Sequence, residues 1–474
     1  MMTAMTPNTA RWPRRFTRPV ALSLAFATAV AGMPAEAQAP QGGPKLPVIR
    51  DAETEQLLRE YTQPILRAAG LAKQNIRIVI INDRSFNAFV ADGHRIFINA
   101  GALMESETPN QIIGVIAHEA GHIAGGHLSR LREQISKAET QMIVGMLLGV
   151  GAMVAGASSR NVGGNPGLAA MTLPQEMVKR SLLAYVRTQE DAADRAAVKF
   201  LNATHQSAKG MSDTFKRFAD QSLFLSRGAD PYLQSHPMPA ERVANLSELA
   251  KTNPYWDKKD SATLQQRHDL MRAKLYGFID RPDAVLRRYP MQDNSLAARY
   301  ARAIAGYRAA GVRASLSQID DLIKTQPGNP YFYELKGQAL MESGRAAEAI
   351  APLRRAAQKA PSPLLIQAML GQAMVATNDP KLTKEAVALL KRVVTREPEL
   401  TEALTQLAMA YGRTGSLANA DLTSAQAAVM RGDIRTARLL AERAKKRFPV
   451  GSPGWIKADD IVGMKLPAST GAPR

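Results

Sequence analysis

His118-Glu119-Ala120-Gly121-His122 is the stretch whose reading decides the fold of the first half of this 474-residue chain. Just upstream, Thr108-Pro109-Asn110-Gln111 reads as a helix start, with Thr108 as N-cap, Pro109 at the first helical position and Gln111 placed to reach back as in a capping box. Ile112, Ile113, Val115 and Ile116 then give one apolar face, and the pattern predicts a helix to about Arg132. On such a helix His118 and His122 project from the same face, so their imidazoles can take neighbouring corners of a zinc tetrahedron. Glu119 then stands beside any water held there, placed to act as general base.

Two imidazoles do not complete a zinc site, so a third ligand must come from downstream. A third histidine six residues after His122 is missing, because position 128 is leucine and His127 falls one residue short. Glu139 lies at about the distance of a thermolysin-like ligand, within a polar stretch. Glu190 is preferred. In Glu190-Asp191-Ala192-Ala193-Asp194, residues 190 and 194 share one helical face, so Glu190 can ligate while Asp194 accepts from the free ring nitrogen of a ligand histidine. Ala192 and Ala193 are small enough to let two helices approach closely.

Working outward, Leu57, Leu58, Tyr61, Ile65 and Leu66 mark a helix between Ala52 and Leu71. The period then changes to β-branched runs, Ile76 to Ile81, Ala88 to Val90 and Ile96 to Ile98. The last two flank the turn dipeptide Asp92-Gly93, which predicts a small sheet with a hairpin. A second long helix is expected from about Gln175 to Leu201. Between the two long helices, residues 142–157 are apolar and Gly/Ala/Met-rich, reading equally as a segment that touches a lipid surface peripherally and as a packing segment.

Arg11, Arg14, Arg15 and Arg18, the apolar run from Val20 to Ala31, and Ala35-Glu36-Ala37 read as an export signal cleaved after Ala37. Losing that segment removes four arginines and Glu36, and the formal charge of +19 becomes +16. A basic exported chain suits anionic surfaces or acidic partners, and with no basic helix interleaved with aromatics it does not read as a nucleic-acid binder. The absence of cysteine excludes thiolate metal sites, thiol nucleophiles, disulfides and a lipid anchor on an N-terminal cysteine.

Beyond Pro254 the texture becomes Ala/Leu/Arg-rich and helical. Gly337 and Gly371, like Pro327 and Pro361, are separated by the period of tetratricopeptide (TPR) repeats. Tyr333, Leu335, Leu340, Ala349, Ile350, Leu353 and Ala356 fall where two packed helices need apolar or small residues. The next unit, from Pro361 to Pro398, is stretched, and further pairs are expected around Leu404 to Tyr411 and Ile434 to Phe448. The fold class is thus mostly α: a zincin-like α+β metallopeptidase domain with a small sheet, then a helical TPR solenoid. The expected boundaries are 1–37 signal, 38–50 loose leader, 51–252 peptidase, 253–284 helical connector, 285–460 repeats and 461–474 disordered tail.

H-E-A-G-H, the downstream E-D-A-A-D, Asn87-Ala88-Phe89 before the first motif, and His236-Pro237 followed by Arg242 together resemble the gluzincin group that contains the HtpX proteases, the CAAX prenyl proteases and the periplasmic BepA-type proteases with TPR repeats. The resemblance covers the whole chain after the signal. It implies one Zn2+ per chain on His118, His122 and Glu190, with Glu119 as base and Asp194 behind the ligands. It also implies that His236 either assists at the oxyanion or latches the open metal position, that Arg242 helps bind the tetrahedral intermediate, and that substrate adds as a strand along Asn87, Ala88 and Phe89. Tyr185-Val186-Arg187 departs from the Ser-Arg that often opens the second motif in that group. The implied activity is periplasmic endopeptidase cleavage of unfolded or misassembled envelope and outer-membrane proteins, with the outer-membrane assembly machinery engaged through the TPR face. The alternative is a chaperone-like TPR scaffold with a latent or structural metal site.

Overall fold

A computed structural model describes residues 46–137, 166–222, 236–237 and 240–465. The expected signal segment, the apolar stretch 142–157 and Glu139 lie outside the described residues. β1 (Val48–Ile49) pairs antiparallel with β2 (Arg77–Ile81), which runs parallel to β4 (Arg95–Asn99), and β3 (Ala88–Val90) closes the other side antiparallel to β4. The order β1-β2-β4-β3 leaves β3 on an edge. The hairpin expected around Asp92-Gly93 is present: Asp92 Oδ1 accepts from the backbone of His94 and Arg95, and Gly93 takes a φ of 76°. The leader expected over 38–50 needs correction at its end, because Val48 and Ile49 are paired to Ile81 and Ile80.

α1 (Ala52–Ala68) and α2 (Ala100–Glu105) pack with the sheet around α3 (Pro109–Ala124). α3 starts as its sequence demands, with Pro109 in the first turn and Gln111 Oε1 accepting from Thr108 N at 3.2 Å. It ends earlier than Arg132. Gly125 and Gly126 break it, with Gly126 at a φ of 62°, and a separate helix α4 begins at residue 127 and is described to 137. The second long helix, α5 (Pro166–Ala203), begins earlier than Gln175 and packs along α3. α6 (Lys209–Ser222) is tied to the start of α3 by Asn110, which donates to Ser207 O at 2.6 Å and accepts from Gly210 N at 2.7 Å. α7 (Ala240–Lys251) packs on α5 and α6.

The connector is α8 (Ala262–Ile279) and α9 (Pro282–Arg288). Met271, Leu275 and Tyr276 of α8 enter the peptidase core, while Leu270 and Ala273 on another face enter the first core of the repeats, so this helix joins the two halves. The repeat half follows as antiparallel pairs: α10 (Leu296–Ala310) with α11 (Val312–Thr325), α12 (Pro330–Glu342) with α13 (Ala346–Lys359), α14 (Leu364–Ala376) with α15 (Pro380–Arg396), α16 (Thr401–Arg413) with α17 (Leu417–Met430), and α18 (Ile434–Arg447) with α19 (Pro453–Val462). The two glycines in register do equivalent work. A Cβ on Gly337 would stand 2.4 Å from Leu353 Cγ, and one on Gly371 would stand 2.6 Å from Leu390 Cγ. The stretched unit is explained by α15, which has 17 residues where α13 has 14. The tail also begins later than expected, since Ile461 is a buried member of α19.

Candidate metal centre

α3 and α5 meet closely because Gly121 faces Ala193: a Cβ at Gly121 would stand 2.9 Å from Ala193 O. That approach sets His118, Glu119 and His122 from α3 opposite Glu190 and Asp194 from α5. Nε2 of His118 and Nε2 of His122 lie 3.0 Å apart, and each is 3.4 Å from an oxygen of Glu190. Ligand atoms on tetrahedral arms of about 2.0–2.1 Å stand roughly 3.3 Å from one another, so these three side chains fit a metal ion. With Nδ1 of His236, which is 3.3 Å from His118 Nε2 and 3.1 Å from Glu190 Oε2, the four residues offer ligand atoms all within 4.8 Å of one another.

The carboxylate of Glu119 is buried and neither oxygen makes a hydrogen bond, although Oε1 comes within 3.4 Å of His236 Nε2. A buried carboxylate left without a donor is costly unless something the protein binds completes it. Burial pushes this carboxyl up, against the pull of His236 and His118, which suits a base that must both take and return a proton. Glu190 is held well below the usual carboxylate range and Asp194 below it: burial alone would raise both, but His236 and His118 outweigh it at Glu190, and the hydrogen bonds from Arg242 together with the His118 ring 2.9 Å away outweigh it at Asp194. Burial alone would also lower His118, yet Asp194 and Glu190 lift it to about 9, so this corner favours positive charge. His122 is instead driven well below its ordinary value by burial and by His118.

Asp194 lies where the sequence puts it, with Oδ1 2.9 Å from His118 Nδ1. Arg242 shows a fuller set of contacts than the sequence suggests. Its Nε and Nη2 donate to Asp194 at 2.7 and 2.9 Å, and its Nη1 donates to Pro237 O at 3.0 Å and lies 2.8 Å from Glu190 Oε2. His236 enters the same site, with Nε2 3.3 Å from the carbonyl of Ala88 on edge strand β3. Asn87 precedes that strand, and its carbonyl accepts from Asn99 N at 2.9 Å. Phe89 stacks on Phe97 at 5.2 Å, so of these three it is Ala88 that faces the histidine.

Sequence reasoning missed two neighbours. The ring of Phe215, from α6, packs edge-on to His118 at 5.4 Å and lies under the Arg242 guanidinium at 5.4 Å. Its only signal was membership of an amphipathic helix, which does not say what the face covers. His127 falls one residue short of the spacing of a third histidine ligand. Instead its Nδ1 lies 3.0 Å from Nδ1 of His122, on the side of that ring turned away from Glu190.

A capped helix carrying two histidines and a free glutamate, a carboxylate from a second helix and a helical repeat array define a metallopeptidase with an appended repeat domain. Residues 52–250 match Peptidase family M48, and the chain carries a metallopeptidase domain of that family. It is similar to the beta-barrel assembly-enhancing protease of Yersinia pestis, 22% identical over 423 residues that cover 86% of this chain and 82% of the relative. The beta-barrel assembly-enhancing protease of Escherichia coli (strain K12) is likewise 22% identical, over 415 residues, with the same coverage. Among solved structures, the TPR domain of P58(IPK) is covered to 98%, with 70% of this chain, at 13% identity and a TM-score of 0.17. No described helix is long and apolar enough to cross a membrane.

Proposed function

We propose that this chain is a zinc-dependent endopeptidase of the periplasm that cleaves unfolded or misassembled proteins destined for the outer membrane. The observation that carries the reading is the set of three ligand atoms at tetrahedral spacing beside a buried glutamate with no hydrogen bond. Bound zinc supplies polarisation of the scissile carbonyl and acidification of a water. His118, His122 and Glu190 hold the ion, with Asp194 orienting His118. Glu119 takes a proton from the attacking water and returns it to the leaving nitrogen. Arg242, engaged with both Glu190 and Asp194, holds the carboxylates that hold the site, a use its contacts support better than direct contact with a tetrahedral intermediate.

The substrate class follows from edge strand β3, along which an extended segment can pair, with Asn87, Ala88 and Phe89 as the receiving edge. Such an edge takes unpaired strands and not compact domains. The names of the two relatives point the same way, towards β-barrel precursors. The expected export signal supports the compartment, and the repeat surface offers the assembly machinery a place to dock. His236 occupies both the fourth corner of the ligand set and the Ala88 carbonyl, which supports a latch that substrate must displace. The same contact is what favours a second reading, a chaperone-like scaffold with a latent metal site.

Wild type, Glu119→Gln and His236→Ala, assayed for zinc content and for cleavage of an unfolded outer-membrane β-barrel protein, test this reading. Glu119→Gln is expected to retain zinc and lose about a hundredfold or more in cleavage rate. His236→Ala is expected to cleave faster than wild type. Undiminished cleavage by Glu119→Gln would end the peptidase reading, and slower cleavage by His236→Ala would end the latch.

A further inference from the structure

The two histidines on α3 are supported differently. His118 turns Nε2 towards Glu190 and Nδ1 towards the carboxylate of Asp194. His122 also turns Nε2 towards Glu190, but its Nδ1 meets another imidazole, Nδ1 of His127, at 3.0 Å, with ring planes at 86° and centroids 5.0 Å apart. Two ring nitrogens at that distance share one proton. Were His127 the donor, Nδ1 of His122 would be bare, its Nε2 would carry the proton, and the nitrogen facing Glu190 could not ligate. Only the opposite arrangement, with His122 Nδ1–H donating to a bare His127 Nδ1, leaves Nε2 free for an ion.

The chain makes room for this contact at some cost to its helix. α3 stops at Ala124 so that the turn at Gly125 and Gly126, the latter at a φ of 62°, can swing His127 back beside His122. The ring of His127 then lies over Gly125: a Cβ there would stand 2.1 Å from His127 Nε2, so any other residue would displace the ring. His127 is itself buried. A glycine pair that ends a metal-bearing helix right after its second histidine, with the next residue packed on that histidine, is more than a surface turn.

We propose that His127 is a positioning residue for the metal centre: it fixes the tautomer and ring orientation of His122 as an uncharged acceptor, the counterpart of Asp194 at His118. Glu190 and Asp194 already bring two negative charges to the site, and an imidazole orients His122 without adding a third. The inference rests on the metal reading given above.

The test compares two substitutions in the full chain. In His127→Asn the amide Oδ1 falls near the place of Nδ1 and can accept the same proton, whereas His127→Leu fills the space without an acceptor. Zinc affinity, read by competition with a chromogenic chelator, is expected to fall about tenfold to a hundredfold in His127→Leu and to stay within about threefold of wild type in His127→Asn. Equal affinity in all three, or equal losses in both variants, would overturn the proposal. Nitrogen-15 NMR of the metal-free wild type decides the point without zinc: His122 is expected with its proton on Nδ1, and a proton on Nε2 would refute the assignment. If wild type fails to retain zinc, the metal reading falls, and the tautomer alone decides this one.

Discussion

Replacing Lys274 by methionine should loosen the junction between the peptidase and repeat halves, and by an amount that depends on pH. The Lys274 ammonium is buried on α8, 2.5 Å from Asp51 Oδ2, 3.2 Å from Glu334 Oε2 and 3.6 Å from Glu53 Oε2. Asp51 and Glu53 open α1 of the peptidase half, Glu334 belongs to α12 of the repeats, and Tyr300 of α10 donates to Glu53 at 3.0 Å. One cation therefore serves three carboxylates drawn from both halves. Burial lifts Glu53 to about 7 despite the attraction of Lys274, so this group already carries part of the charge imbalance as a proton. Methionine keeps the stem volume and removes the charge, leaving the carboxylates uncompensated, a change that costs roughly 3–5 kcal/mol.

The pH dependence follows from sign. A carboxyl raised in the folded state favours folding most below its unfolded pKa, and that contribution is lost as pH rises through the folded value, here from about 4.5 to about 7. Without the ammonium Glu53 and Glu334 rise further, and Asp51, which Lys274 holds below the usual carboxylate range against its burial, rises as well. Lys274→Met should thus differ less from wild type near pH 5, where Glu53 and Glu334 can take up protons and chiefly the pairing with Asp51 is lost, and by the full amount near pH 8. Urea unfolding followed by circular dichroism at both pH values measures this, and cleavage per folded molecule should be unchanged because the cluster is separate from the metal centre. A difference under about 1 kcal/mol at pH 8, or one that is flat with pH, would refute the account of this junction.

Gly121→Ala should force α3 and α5 apart against the backbone of Ala193, and since a metal site tolerates only about half an ångström of displacement, zinc affinity should drop about tenfold or more in a chelator competition. Gly337→Ala should destabilise the repeats by about 1–3 kcal/mol through overpacking on Leu353, whereas Gly328→Ala, with open space around it, should stay within about 0.5 kcal/mol; thermal unfolding of both separates packing from backbone effects.

Local physics made much of this molecule legible in the chain alone. The N-terminal capping signals of α3, the i and i+4 spacing of His118 and His122, the same spacing of Glu190 and Asp194, the hairpin at Asp92-Gly93 and the repeat period all depend on residues close in sequence. Their periodicity carries the information directly. The stop of α3 is also written locally, in Gly125-Gly126, but helical hydrophobic spacing continues on either side, and it is the positive φ of Gly126 that separates two helices.

What only the tertiary structure decided is which distant groups share the site. Glu190 reaches the two histidines because Gly121 and Ala193 let two helices touch. Arg242 closes on Glu190 and Asp194, and His236 meets the carbonyl of Ala88. His127 illustrates the division best. Its distance along the chain from His122 falls one residue short of a third ligand's spacing, and only the reversal of the backbone at Gly126 turns it towards the His122 ring. Spacing along a helix fixes direction within that helix; contact between elements depends on packing that no single stretch of sequence encodes.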